Sequence, residues 1–335
     1  MTASTRHRGT AIDWRKMIRR HGWTVGVWIL LIVLLLVYAT LLPRFGAFQI
    51  TSIAKNSLPL VYLAIAQAVI VIAGGIDLAV GSMLVLTNAL AARLMDGQSF
   101  PTTLAIALLV IVLATALNGV VGWVITVSKV PDIVATLATL FIFSGVALLV
   151  LPSPGGGTSE GFRALFTGSP TGTGSNFWPS LLVMGLPLGL LAWWMRRTET
   201  GLSLYATGSH RVAAYLSGVN TAKAKIIAYG VGGGFSALGG LAALAITGSG
   251  ESRFATASGF TLRAVAAIVL GGVALTGGIG SVAGAAAAGI VLFALSPFLS
   301  ALGVDPNTAQ LIQGVLIVVV MMIAGIVELR RQRAA

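Results

Sequence analysis

Cysteine is absent from the 335 residues, so disulfides, thiolate catalysis and cysteine metal sites are all excluded. Charge is scarce: Asp, Glu, Lys and Arg make up 9% of the chain, against about 25% in ordinary soluble domains. So few charges cannot coat a water-facing surface. A soluble enzyme, a disordered chain and a nucleic-acid-binding domain are therefore ruled out. Histidine occurs three times, as His7, His21 and His210, far apart and outside every apolar run. These positions build neither a metal cluster nor a Ser/His/Asp constellation. The chain has no GxxxxGKS/T phosphate loop and no HExxH, so it is not expected to bind and hydrolyse ATP alone. Acidic residues number only nine, and few fall deep in an apolar run. That weighs against a proton-driven pump, while sodium coupling through backbone carbonyls stays open.

What the chain has is apolar sequence, 56% of it, with 42 glycines besides. A bilayer-spanning helix takes roughly 20 apolar residues, because a rise of about 1.5 Å per residue must cross about 30 Å of hydrocarbon. Apolar runs lie near 23–42, 57–73, 78–95, 101–127, 132–151, 178–195, 224–246, 261–276, 279–300 and 307–327. The expected fold is therefore an all-α polytopic membrane protein of about ten transmembrane helices. Residues 1–22 form a basic tail, 23–327 the membrane domain and 328–335 a C-terminal tail. The first run is too long for a secretory signal and lacks a small-residue cleavage site, so it reads as a retained span. The second, third and eighth runs are short and rich in Gly or polar residues, and are expected to be broken or tilted.

Lys and Arg set the orientation. With the N-terminus inside and ten alternating spans, 15 of the 21 basic residues fall on the inner side, among them Arg6 to Arg20, Lys129, Arg196, Arg197, Arg211, Lys223, Lys225 and Arg330 to Arg333. Arg44, Lys55, Arg93, Arg163, Arg253 and Arg263 fall outside or near the outer face. This asymmetry puts both termini in the cytoplasm. It also explains the net charge of +12 without nucleic acid as a partner; the bilayer is the partner. The Gly-, Pro-, Ser- and Thr-rich stretch 152–177 then lies outside as a solvated loop, and 196–223 is the longest cytoplasmic loop.

Three segments carry more information. In Gly74-Gly75-Ile76-Asp77-Leu78-Ala79-Val80-Gly81-Ser82, glycines permit sharp turns and close helix approach. Asp77 is either the cap of the turn joining spans two and three or part of a helix break inside the membrane beside the transport path. In the 201–220 stretch, Arg211 to Leu216 is a short amphipathic helix with Arg211 and Tyr215 on one face, either a solvated connector or a coupling helix that docks in a partner's groove. The run Val269 to Ser281 holds five glycines in 13 residues and suits tight turns, and Gly230, Gly232, Gly233, Gly234, Gly239 and Gly240 suit intramembrane helix contacts. Gln67, Asn88, Asn118, Thr136 and Thr139 are polar residues within spans. They either bond between helices, at about 0.6 kcal/mol each, or line a polar solute path.

These residues resemble the permease subunits of ABC importers of the ribose/xylose/galactoside type. Gly74 to Ser82 is similar to that family's GGIDLSVGS signature, and Asn118-Gly119 to its NG in the fourth span. Pro131 with Ile133 to Leu137 matches its fifth-span segment. Tyr205 to Gly208 and Ala213 to Asn220 resemble its cytoplasmic loop. Ala266 to Gly272 and Gly277 to Ser281 resemble its AA-V-V-LGG…GG-x-GS stretch. The resemblance implies an ABC importer permease fold in a bacterial inner membrane that translocates a monosaccharide by alternating access and has no catalytic residue, cofactor or metal of its own. It implies cytoplasmic ATPase subunits that bind the ATP, a periplasmic sugar-binding protein and a second permease subunit, identical or not. It also assigns Gly208, Arg211, Ala213, Ala214, Tyr215, Ser217 and Gly218 to ATPase coupling. The rival solutes are a nucleoside, a branched-chain amino acid or a furanose signal molecule, and the rival mechanism is a standalone secondary carrier. The chain departs from the family pattern at Ala79 (usually Ser), at Ser144-Gly145 (often Arg-Gly) and at Thr261-Leu262-Arg263 (often Glu-Leu-Asp).

Overall fold

The computed structural model describes residues 14–334, so most of the basic N-terminal tail lies outside the described residues. The elements are α1 (Trp14–Leu41), α2 (Ala47–Ile72), α3 (Val80–Met95), α4 (Phe100–Ser128), α5 (Asp132–Val150), α6 (Glu160–Thr167), α7 (Trp178–Arg197), α8 (Glu199–Ser209), α9 (Arg211–Leu216), α10 (Thr221–Thr247), α11 (Phe254–Leu270), α12 (Val282–Ala301) and α13 (Pro306–Ala334). Among the described residues none is in a strand. Seven helices are long and apolar enough to cross a membrane: α2, α4, α5, α7, α10, α12 and Gly22–Leu41 of α1. Three shorter apolar stretches join them, α3, α11 and Asn307–Val319 of α13. These ten follow the ten apolar runs, and the chain is an all-α polytopic membrane protein.

Some boundaries differ from the sequence reading, each for a physical reason. The second span starts ten residues earlier than expected and is not short. Lys55 does not interrupt it, because its ammonium reaches across to donate to the carbonyl of Gly172. The eighth span ends at Leu270, where Gly272 takes a left-handed φ of 80° and Val273 N–H closes back onto Ile268 O at 2.9 Å. This is the usual exit by which a glycine satisfies the last carbonyls of a helix. Residues 328–334 are not a separate tail but continue α13.

The stretch 152–177 is only in part a solvated loop. It contains α6, started by Ser159, whose hydroxyl accepts from Phe162 N–H at 3.3 Å. Phe162 and Phe166, four apart and so on one face, are both buried, with ring centroids 5.2 Å apart. Arg163 caps the end of α10 by donating to Ala245 O at 3.2 Å. Gly155 and Gly250 exchange backbone hydrogen bonds of 3.2 and 2.8 Å. Composition alone hid this lid, because two aromatics and one arginine suffice to hold down many small residues.

At the centre stands α2, buried almost throughout from Thr51 to Ile72. Around it, α10 packs through its glycines against α2, α4 and α3. A Cβ on Gly232 would strike Ile70, one on Gly233 the backbone of Ala114, and one on Gly240 the carbonyl of Leu84, all within 2.5 Å. In lipid, where no hydrophobic force separates helix from acyl chain, such close approach is what holds helices together. The outer helices α1, α4, α5 and α7 expose large apolar side chains such as Leu36, Leu108, Leu149 and Leu190.

Candidate functional site at the α9 end of the bundle

The three glycine-bearing segments, 74–82, 201–220 and 269–281, are far apart in sequence but meet at one end of the bundle. Thr198 starts α8 by accepting from Gly201 N–H at 3.1 Å. Leu204 is buried. Tyr205 donates to Gly280 O at 3.3 Å, and burial pushes its phenol above the usual range, with the charge of Arg196 opposing. Gly208 lies at the crossing. A Cβ there would sit 1.9 Å from Ile72 O, 2.6 Å from Gly278 N and 3.0 Å from Gly74 N. Gly278 N–H in turn donates to Ile72 O at 2.9 Å. Gly74 and Gly277 both hold positive φ, 77° and 91°, which only glycine adopts at little cost. Helix α8 is thus seated against the end of α2 and the α11–α12 connector, with backbone on backbone.

Beyond α8, His210 caps α9: its Nδ1 accepts from Ala213 N–H at 3.1 Å. Ala214 faces inward, whereas Arg211, Ala213, Ser217 and Gly218 are exposed. Tyr215 and Leu216 are 67% and 79% exposed, and Val212 lies beside them. Gly218, with φ 86°, ends the helix. A cavity of about 260 Å³ opens at the α8–α9 elbow, lined by Gly74, Thr207, Arg211, Val212 and Lys225 among others.

One layer deeper, the 73–79 break between α2 and α3 is held by polar contacts. Asp77 is fully buried. Its Oδ1 accepts from Ala79 N–H at 2.7 Å and its Oδ2 from the Asn118 amide at 3.1 Å. It therefore folds its own turn and ties it to α4, which is more than capping. Gly75 packs on Ile70 and Tyr229. Thr136 bonds its own turn at Asp132 O, 2.8 Å away, and Thr139 bonds Thr136 O at 3.1 Å. Ser82 bonds Ala79 O at 2.8 Å. Gly81 lets α3 touch α11, where a Cβ would lie 2.0 Å from Ala257 O and where Thr261 accepts from Gly81 N–H at 3.2 Å. Gln67 is buried in α2 with an unpartnered Oε1. Asn88 belongs to the opposite end, donating to Gly240 O at 3.1 Å and accepting from Glu251 N–H at 2.7 Å.

Three residues at this site escape a sequence reading. Asp132 opens α5, and its Oδ1 is 2.6 Å from the ammonium of Lys225 in α10. Its Oδ2 accepts from Tyr229 OH at 3.1 Å and from Ile76 N–H at 3.3 Å. The only signal in the sequence was two opposite charges at the ends of two apolar runs that fall on the same side. Among the described residues no group of three or more His, Asp or Glu is placed to hold a metal. The arrangement is one of glycine turns and packed crossings.

A family model described as branched-chain amino acid transport system / permease component matches residues 49–321. The chain is 31% identical over 304 residues to the ribose import permease protein of Escherichia coli, covering 88% of this chain and 91% of that one. It is 30% identical over 321 residues to the autoinducer 2 import system permease protein of the same species, covering 92% and 90%. It is 29% identical over 319 residues to the ribose import permease protein of Bacillus subtilis, covering 92% and 93%. No solved structure matches it at a comparable level. With four-fifths of its length matched end to end by one model, the chain belongs to this family of import-system permease components.

Proposed function

We propose that the chain is the membrane subunit of an ATP-binding-cassette importer that passes a monosaccharide, ribose-like in size and polarity, across a bacterial inner membrane. Its relatives named for ribose import support the solute class. The observation that carries the mechanism is α9: a short helix with Val212, Tyr215 and Leu216 exposed, next to an α8 that rests through Gly208 on the break of α2–α3 and on the α11–α12 connector. An exposed apolar helix so seated is a handle. Cytoplasmic ATPase subunits grip it, close on ATP and open again, and the bundle tilts to expose its path to one side and then the other. The chain binds no ATP itself. A periplasmic binding protein delivers the sugar, and a second permease subunit completes the path. The excess of Lys and Arg near the α9 end supports a cytoplasmic placement of that end and of both termini.

The test is uptake of labelled ribose into proteoliposomes holding the chain with its ATPase and binding protein. Uptake is expected to need all three and ATP. Uptake by the chain alone, driven by an ion gradient, would replace the proposal with a secondary carrier. R211E is expected to weaken co-purification with the ATPase and to uncouple hydrolysis from uptake. Unchanged assembly and uptake would remove α9 from the mechanism. A binding protein that takes a furanose signal molecule in preference to free pentoses would move the solute to the class named by the autoinducer 2 relative.

A further inference from the structure

The backbone of Ile76, next to Asp77 in the α2–α3 break, is held at both its N–H and its carbonyl. Its N–H donates to Asp132 Oδ2 at 3.3 Å, and its carbonyl accepts from Tyr229 OH at 2.9 Å. The same hydroxyl lies 3.1 Å from Asp132 Oδ2, and Asp132 Oδ1 is 2.6 Å from Lys225 Nζ. The side chains of Lys225 and Asp132 are 11% and 15% exposed. Lys225 and Tyr229 are four apart, so both point from one face of α10, one turn and two turns after it starts at Thr221. Only the turn 217–220 separates that start from α9. Behind Tyr229, a Cβ on Gly122 of α4 would come within 2.9 Å of its Cβ, so the ring sits in a slot that lets it shift little. From Lys225 through Asp132 with Tyr229 to Ile76 and Asp77 the path is continuous and largely shielded, and α10 joins it to the exposed α9. An ion pair taken out of water adds little stability over an apolar pair of the same shape; its attested use is to specify geometry.

We propose that Asp132, Lys225 and Tyr229 are positioning residues that form a strut between the head of α10 and the α2–α3 break, and that this strut sets how much solute moves per ATP hydrolysed. A displacement of α9 by the ATPase carries α10 with it. The strut converts that displacement into movement of the break instead of letting α10 slide past α5. The proposal rests on the ATP-driven reading above. In it, no proton or solute need bind at the strut.

The experiment compares the complete importer in proteoliposomes with wild-type chain, Y229F, D132N, K225M and K225R, reading solute taken up per ATP hydrolysed together with melting temperature and the ATPase subunits retained. Y229F leaves the ion pair in place and removes the hydroxyl's contacts with Ile76 O and Asp132 Oδ2. The expected result is a fall in the ratio of about tenfold in D132N and K225M and several-fold in Y229F, with ATPase retention unchanged. K225R, which keeps charge and donors, is expected to recover a large part of what K225M loses. A wild-type ratio in Y229F and D132N would overturn the strut. So would losses of uptake and hydrolysis in equal proportion that follow the melting temperature, since that marks a merely structural pair. If the wild-type importer itself shows no ATP-dependent uptake, the functional reading fails instead, and the two failures are distinct.

Discussion

Replacing Gly208 with alanine tests the seating of α8 with a single methyl group. The added Cβ would stand 1.9 Å from the carbonyl oxygen of Ile72 and 2.6 Å from Gly278 N. A carbon and a carbonyl oxygen settle at about 3.3 Å or more, so the two backbones must part by roughly 1.4 Å. No side-chain rotation relieves the clash, because every neighbour within 3.0 Å is main chain. Overpacking of this kind costs about 1–3 kcal/mol. The hydrogen bond from Gly278 N–H to Ile72 O, which shares the crowded carbonyl, adds about 1 kcal/mol when it breaks. Alanine's better helix propensity returns about 1 kcal/mol, leaving a net loss of about 1–3 kcal/mol. The control is Gly185 in α7, where a Cβ meets nothing within 4 Å and alanine should be neutral or stabilising by about 1 kcal/mol. The assay is the thermal midpoint in detergent, followed through tryptophan fluorescence, with ATPase hydrolysis in the reconstituted complex as a second reading. G208A is expected to melt several degrees below G185A and to lose coupling. Equal midpoints and equal coupling would refute the backbone-on-backbone seat and, with it, the route from α9 to the α2–α3 break.

Other substitutions separate packing from path. F162A removes a fully buried ring from α6 and should cost about 3–5 kcal/mol; a wild-type melting temperature would mean that 152–177 is loosely held after all. S144A deletes a buried hydroxyl with no partner, so the midpoint should hold or rise by the equivalent of about 1 kcal/mol, and a clear drop would show a bond that the fold does not reveal. N88A gives up its bonds to Gly240 O and Glu251 N–H and should cost about 1–2 kcal/mol without changing which sugars compete for uptake. A changed competition profile would instead place Asn88 on the solute path.

Much of this molecule is legible in its residues because lipid imposes simple demands. Apolar length has to match bilayer thickness, and backbone polar groups have to be satisfied within each helix. Ten apolar runs and 9% charge therefore determine an all-α membrane fold, and the Gly-Gly-Ile-Asp stretch at 74–77 announces a break. Local sequence also sets α9, since His210 before an apolar-faced turn is a cap that needs no distant partner. What the sequence could not say is which breaks meet. Gly74 and Gly278 read as turn glycines and Gly208 as part of the cytoplasmic loop, and only the packed bundle places Gly208 between the other two. Lys225 reads as one more topology-setting charge until α5 brings Asp132 to 2.6 Å from it. The polar and small residues of 152–177 read as solvated until Phe162 and Phe166 find a buried face. Short-range rules govern where a helix starts, stops and crosses lipid. Contacts between residues tens of positions apart depend on how the helices are arranged around α2, and that arrangement is a property of the whole packed chain.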